Sequence, residues 1–236
     1  MVWKTSPQGD FPMKIGIFTA MEKEASSFLA QATSKTQVGQ FTVYQIPLGK
    51  HQAYLICPPS VGQICASAAC QILITQYQVD IICNLGVVGA LTESTSLLST
   101  VYVDSVVHYE MDTSQIDNVP QGRYLCFDDV AIPTDSKLLQ IVQSIQPYPT
   151  VRCASGDKFV ADSAQKHALS TQFNAQICDM ESAAIAIVCK VNNVPCLMVK
   201  CISDSLFGGA GEYVQNSQKA TQGFFQFVLK LADALN

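Results

Sequence analysis

The chain has 236 residues, of which 48% are hydrophobic and only 14% charged, with a formal net charge of −5. It is long enough to enclose a substantial core, and its acidity argues against a nucleic-acid surface or an anionic membrane as partner. No apolar run approaches the ~20 residues of a membrane span. Residues 1–12 read as a loose leader without the apolar stretch of a signal peptide, so a cytoplasmic location is expected.

Periodicity and turn residues give the following order. A buried strand is predicted over 14–19, then a helix over 22–32 with Ala25, Phe28 and Leu29 on one face. Residues 41–47 and 52–57 alternate as two strands of a hairpin across Leu48-Gly-Lys-His51. An Ala-rich helix is expected over 62–76. A strand over 80–85 runs into a glycine turn, Gly86-Val-Val-Gly89, and another strand follows over 100–107. The stretch 109–127 is polar and irregular, too long for a mere connection, and such loops tend to be lids or interface elements. Pro133-Thr-Asp135 announces a helix over 136–144. A strand over 150–154, the loop 155–159, a helix near 164–171 and a strand over 175–178 come next. Helix 181–191, strand 196–202 and one long helix over 213–235 complete the chain. Alternating strands and helices with glycines after strands predict one three-layer α/β domain over residues 13–236.

The ten cysteines form no CxxC, and the three histidines, His51, His108 and His167, are not spaced for zinc. Cys57, Cys83, Cys153, Cys178, Cys189, Cys196 and Cys201 lie in or beside apolar segments, as free thiols serving as small core residues do. No disulfide, metal or cofactor is expected.

Three acids stand where buried segments meet the surface. Glu24 follows the first strand, Glu181 opens an apolar helix, and Asp204 closes the strand before it. Carboxylates at strand–helix junctions suit an α/β enzyme that breaks a glycosidic bond. Each also has an ordinary explanation: Glu24 and Glu181 as first-turn glutamates favoured by the helix dipole, Asp204 as a cap. On the residues alone the two readings of Asp204 balance, and Glu24 is more often the solvated kind.

Five segments occur in order: Met13-Lys-Ile-Gly-Ile-Phe-Thr-Ala-Met-Glu-Lys-Glu24, Asn84-Leu-Gly-Val-Val-Gly-Ala90, Ser155-Gly-Asp-Lys-Phe-Val160, Asp179-Met-Glu-Ser-Ala-Ala-Ile-Ala186 and Ile202-Ser-Asp204. Together they resemble the signature segments of the bacterial methylthioadenosine/S-adenosylhomocysteine nucleosidases, a nucleoside phosphorylase-like family that shares fold and mechanism with futalosine-type nucleosidases. The resemblance runs from Met13 to the C-terminus. It implies an αβα domain around a central mixed sheet, a homodimer in which 109–127 crosses to the neighbour, and release of adenine from a 5′-modified adenosine.

By the same resemblance, Asp204 would be the general acid on the purine, which requires a proton retained through burial. Glu24 would be the base on water and Glu181 the clamp on the ribose hydroxyls. Met180 would lie against the sugar, Phe159 would stack on the purine, the Val160 backbone would read the base edge, and Val61, with Gly62, would line the sugar side. Ser203 and Lys200 would belong to the substrate site. Met180 and Phe159 are otherwise ordinary core residues, and Asp179 has no role beyond capping helix 181–191.

Departures from the family pattern fall on the water and 5′ side. Val87 stands where a serine is usual, Lys200 replaces an arginine and so loses its planar fork, and Pro59-Ser60 replaces Ser-Gly. They leave the 5′ substituent open among methylthioadenosine, S-adenosylhomocysteine and aminodeoxyfutalosine. Phosphorolysis is a weaker alternative, because a phosphate dianion is most often held by arginines and backbone N–H groups, and only Arg123 and Arg152 exist. A non-catalytic nucleoside binder is the third reading.

Overall fold

The structure, a computed structural model, describes residues 12–235. The leader expected over 1–12 lies, apart from Pro12, outside the described residues.

Ten strands form one mixed sheet. β1 (Lys14–Phe18) lies between β4 (His51–Cys57) and β5 (Ile81–Ala90), parallel to both. β4 continues antiparallel to β3 (Phe41–Leu48), and β3 to β2 (Ser34–Val38) at the edge. On the other side β5 pairs in parallel with β10 (Cys196–Asp204), which pairs antiparallel with β6 (Thr100–His108). β6 runs parallel to β8 (Thr150–Ser155), β8 parallel to β9 (Ile177–Asp179), and β9 returns antiparallel to β5 at Gly89 and Ala90. Strands β5, β10, β6, β8 and β9 therefore close a ring. The two-residue β7 (Ile132–Pro133) pairs with β6.

Alternate residues of the central strands feed opposite faces, as the two-residue period of a strand requires. Ile15, Ile17, Ile81, Cys83 and Leu85 pack with α4 (Ser136–Ile145) and α8 (Phe224–Ala234), and with Phe28 of α1 (Ser26–Leu29). Phe18, Ile82 and Val88 pack with α2 (Gln63–Thr75) and α6 (Ser182–Asn192). A third cluster, including Leu91, Val107, Val160 and Cys178, takes Phe173 of α5 (Ser163–Phe173). The seven cysteines assigned to apolar segments are all buried.

The mixed α/β architecture and most elements agree with the sequence reading, and four places differ. The helix expected over 22–32 shrinks to Ser26–Leu29, because residues 21–25 run in tighter turns and Glu24 bends back to accept the Met21 N–H. Gly86–Gly89 is not a turn: β5 continues through it, paired with Lys200 to Asp204 of β10. The final helix is broken at Thr221-Gln-Gly223 into α7 (Ala210–Ala220) and α8. β2 had no signal, since it is a polar, largely exposed edge without alternation. Within 109–127 only the one-turn α3 (Ser114–Asp117) is regular.

Candidate active site

A cavity of about 320 Å³ opens where β1, β5 and β10 end, beside the loop after β8 and the step from β9 into α6. Carboxyl ends of parallel strands are where open α/β sheets bind ligands. Val61, Phe159, Val160, Met180, Glu181, Lys200, Ser203, Asp204 and Glu24 all line it as expected, whereas Gly62, also expected on the sugar side, is not among the lining residues.

The floor is built around the start of α6. A helix begins with four N–H groups that have no partner within the helix, and here each is taken by a side chain. Asp179 Oδ1 accepts from Glu181 N at 3.4 Å and Ser182 N at 3.1 Å, Ser155 Oγ from Ala183 N at 3.0 Å, and Gln63 Oε1 from Ala184 N at 2.7 Å. Gln63 Nε2 also donates to Ser155 Oγ at 2.9 Å, so Gln63 of α2 is tied to both α6 and β8. With its own N–H groups served, α6 leaves the Glu181 carboxylate free of capping duty. That carboxylate instead accepts the Gly62 N–H at 2.9 Å. Gly62 has φ +105° and ψ 167°, a region open in practice only to glycine, and a Cβ there would stand 2.7 Å from Asp157 Oδ1.

Asp179 does cap the helix as expected, and it has a second task. Its Oδ2 lies 3.0 Å from Lys200 Nζ and accepts the Ser182 hydroxyl, while Lys200 also donates to Asn84 Oδ1 at 3.0 Å and Asn84 Nδ2 to Ser182 Oγ at 3.1 Å. All four residues are buried. Burial alone would raise the Asp179 carboxyl, but the Lys200 ammonium and the serine hydroxyls more than offset it and hold it below its ordinary value. Burial likewise works against the Lys200 charge, and Asp179, Cys153 and Glu181 overcome it to leave the ammonium more firmly protonated.

Glu24 and Glu181 lean the other way. Burial raises the Glu24 carboxyl despite the pull of Lys200 and of the N–H groups of Val87 (3.2 Å) and Met21 (3.2 Å). Burial and the neighbouring Asp179 charge push Glu181 up to about 7. Gly86 faces both groups: a Cβ there would lie in ordinary contact with them, 3.6 Å from the Glu24 carboxylate and 3.7 Å from the Lys200 ammonium.

Asp204 is aimed by a β-bulge. The register with β5 slips between Ile202 and Asp204, so that Asp204 falls opposite Gly89, and bulges beside functional sites characteristically redirect side chains. A Cβ at Gly89 would stand 3.0 Å from Asp204 Oδ2. The Ser203 hydroxyl lies 2.9 Å from Asp204 Oδ1 and 3.1 Å from the Val88 carbonyl. Asp204 is buried, as its expected role requires, but it is not without a charged neighbour: Lys166 Nζ of α5 lies 2.5 Å from its Oδ2.

Sequence reasoning missed Lys166, the Asn84–Lys200–Asp179–Ser182 network and Tyr213. Tyr213 meets Phe159 edge-on at 5.4 Å, and Lys23 sits 4.8 Å above its ring. Lys166, Leu169 and Phe173 share the helical spacing that marks an inward stripe, so a lysine in that stripe was the available signal.

A family model of the phosphorylase superfamily matches residues 14–233. The chain belongs to the phosphorylase superfamily. Among its relatives in that superfamily, the aminodeoxyfutalosine nucleosidase of Campylobacter jejuni is 26% identical over 233 residues, covering 94% of this chain and 100% of the relative. The 5′-methylthioadenosine/S-adenosylhomocysteine nucleosidase of Staphylococcus aureus is 30% identical over 203 residues, covering 83% of this chain and 88% of the relative. The solved structure of S-adenosylhomocysteine nucleosidase from Streptococcus pyogenes in complex with 5-methylthiotubericidin superposes with a TM-score of 0.88 at 25% identity, covering 95% of this chain and 98% of that one. These superfamily relatives are nucleosidases by name.

Proposed function

We propose that the chain hydrolyses the N-glycosidic bond of a 5′-modified adenosine and releases adenine. The observation that carries this is the convergence of Glu24, Glu181 and Asp204 on one cavity, in a chain whose relatives are nucleosidases. In this reaction the water oxygen bonds to C1′ as the C1′–N9 bond breaks, with the bonding electrons leaving on the purine. Asp204 gives a proton to purine N7, and Glu24 takes the proton from water. Burial suits Glu24 to the second task, because a raised carboxyl is the stronger base. Glu181 accepts the ribose hydroxyls, with the Gly62 N–H holding its carboxylate in place. Met180 and Val61 contact the sugar, Phe159 and the Val160 backbone the base. Ser203 steadies Asp204, and Lys200 balances the acids below the sugar.

Hydrolysis rather than phosphorolysis is supported by where the cations and donors go. Arg152 donates to Ser105 and the Phe173 carbonyl, Arg123 to the carbonyls of Tyr124 and Asp129, and the first N–H groups of α6 are consumed by side chains. Residues 13–236 form one nucleosidase domain in this reading. A homodimer is the expectation from the resemblance and from the long irregular stretch 109–127, a length of loop that tends to serve as a lid or interface element. Among the described residues no helix is long and apolar enough to cross a membrane, which is compatible with a cytoplasmic enzyme.

The test is adenine release from methylthioadenosine, S-adenosylhomocysteine and aminodeoxyfutalosine, each with and without phosphate. Release that ignores phosphate is expected, and release that requires phosphate, or none from any of the three, overturns the proposal.

A further inference from the structure

Lys166 is a lysine with no exposed surface. Lysines are almost never fully buried unless paired, and this one sits where its helix packs inward. Its ammonium has three partners: Asp204 Oδ2 at 2.5 Å, the Ser205 carbonyl at 2.6 Å and the Gly208 carbonyl at 3.4 Å. The two carbonyls fix the ammonium from behind, so its charge faces one oxygen of Asp204 while Ser203 meets the other at 2.9 Å. Lys166 is not among the residues that line the cavity, and it reaches the chemistry only through Asp204.

From this geometry we propose that Lys166 is the positioning residue of the general acid, holding the Asp204 carboxyl toward the purine and stabilising the carboxylate left once the proton has been given up. The inference rests on the hydrolytic reading above. As N7 takes its proton, the Asp204 O–H bond breaks and its electron pair stays on the carboxyl oxygen. The negative charge so formed lies beside an ammonium already in place, which needs no reorganisation during the step. Such preorganised charge acts on the transition state more than on the bound substrate. Lys166 therefore affects kcat and leaves KM nearly alone. The alternative is that Lys166 merely ties α5 to the loop after β10, in which case its loss would be felt whether or not Asp204 can give a proton.

A double-mutant cycle separates these. Lys166→Met is expected to lower kcat for adenine release by about 10- to 100-fold, the size of one charge-assisted contact in the transition state, with KM changed less than about threefold. In the Asp204→Asn background, followed with enzyme in excess over nucleoside, the same substitution should cost less than about twofold. Lys166→Arg should recover most of the rate. Lys166→Gln, which keeps donors for the two carbonyls but not the charge, carries the same cycle if the methionine variant does not fold. Equal losses in both backgrounds, an unchanged kcat, or full activity in Lys166→Gln overturns the assignment. Wild-type protein that releases no adenine is a separate result, because it removes the hydrolytic reading itself.

Discussion

Gly62→Ala is the sharpest test of how the ribose side is held. At φ +105° and ψ 167° an alanine costs about 1–3 kcal/mol in the backbone alone. Its Cβ would also stand 2.7 Å from Asp157 Oδ1, the atom that accepts the Gln63 N–H at 2.6 Å. Asp157 must move, and losing that hydrogen bond adds roughly 1 kcal/mol. The expected destabilisation is therefore about 2–4 kcal/mol by urea unfolding. If the loop relaxes instead, the Gly62 N–H leaves Glu181 and KM for the nucleoside should rise on the order of tenfold, with a smaller effect on kcat. Asp157→Ala in the same background removes the clash partner and should return part of the stability while leaving the backbone cost. A Gly62→Ala protein within about 0.5 kcal/mol of wild type and with unchanged KM would refute the account.

Asp204→Asn and Glu24→Gln should each cut kcat by about 10²–10⁴-fold while nucleoside binding persists; isothermal titration and adenine release read the two sides, and more than a tenth of the wild-type rate in either variant contradicts its assigned role. Asp179→Ala leaves Lys200 buried without its carboxylate and should cost about 3–5 kcal/mol in chemical denaturation. Glu181 should make the empty protein less stable as pH rises. Its carboxyl goes from 4.5 unfolded to about 7 folded, so the native state binds more protons between those values, and up to about 3 kcal/mol is lost across that window. Glu181→Gln should flatten this slope in melts taken from pH 4.5 to 7.5, and a wild-type stability that rises over that range would contradict the environment described.

How much of this could be read from the chain varies with how each residue earns its place. Helices α2 and α6 and strands β1 and β10 were legible because long apolar runs admit few alternatives. Asp135 stands where the start of α4 needs a cap and accepts the Lys137 and Leu138 N–H groups there, whereas Asp162, which accepts the Gln165 N–H at the start of α5, went unread. Gly86 and Gly89 looked like a turn, since local reasoning cannot see that a parallel neighbour carries the strand onward. The lack of a side chain at Gly89 serves the close approach of Asp204 instead. Glu24 could be placed beside a strand end, but not the turn that folds it back on Met21. Lys166 and Asp204 are 38 residues apart in sequence, and no local pattern joins them. The ordered motifs identified the acids and Lys200, whereas the partnership of Lys166 with Asp204 comes from tertiary contact alone.

The clasp at the start of α6 divides the pocket into two kinds of material. Four amides are gripped by Asp179, Ser155 and Gln63, so the floor of the cavity can loosen only if β8, β9 and α2 part from one another together. In hydrogen exchange those amides should be among the last to go. The rim is made differently, with Val61 and Phe159 about two-fifths exposed and Phe159 held edge-on by the Tyr213 ring. Substitutions there can reshape the mouth of the cavity without disturbing the clasp. A scaffold partitioned in this way can change its doorway while its floor stays as it was, and among its relatives one named for aminodeoxyfutalosine and one named for methylthioadenosine lie at similar sequence distance, 26% and 30% identical.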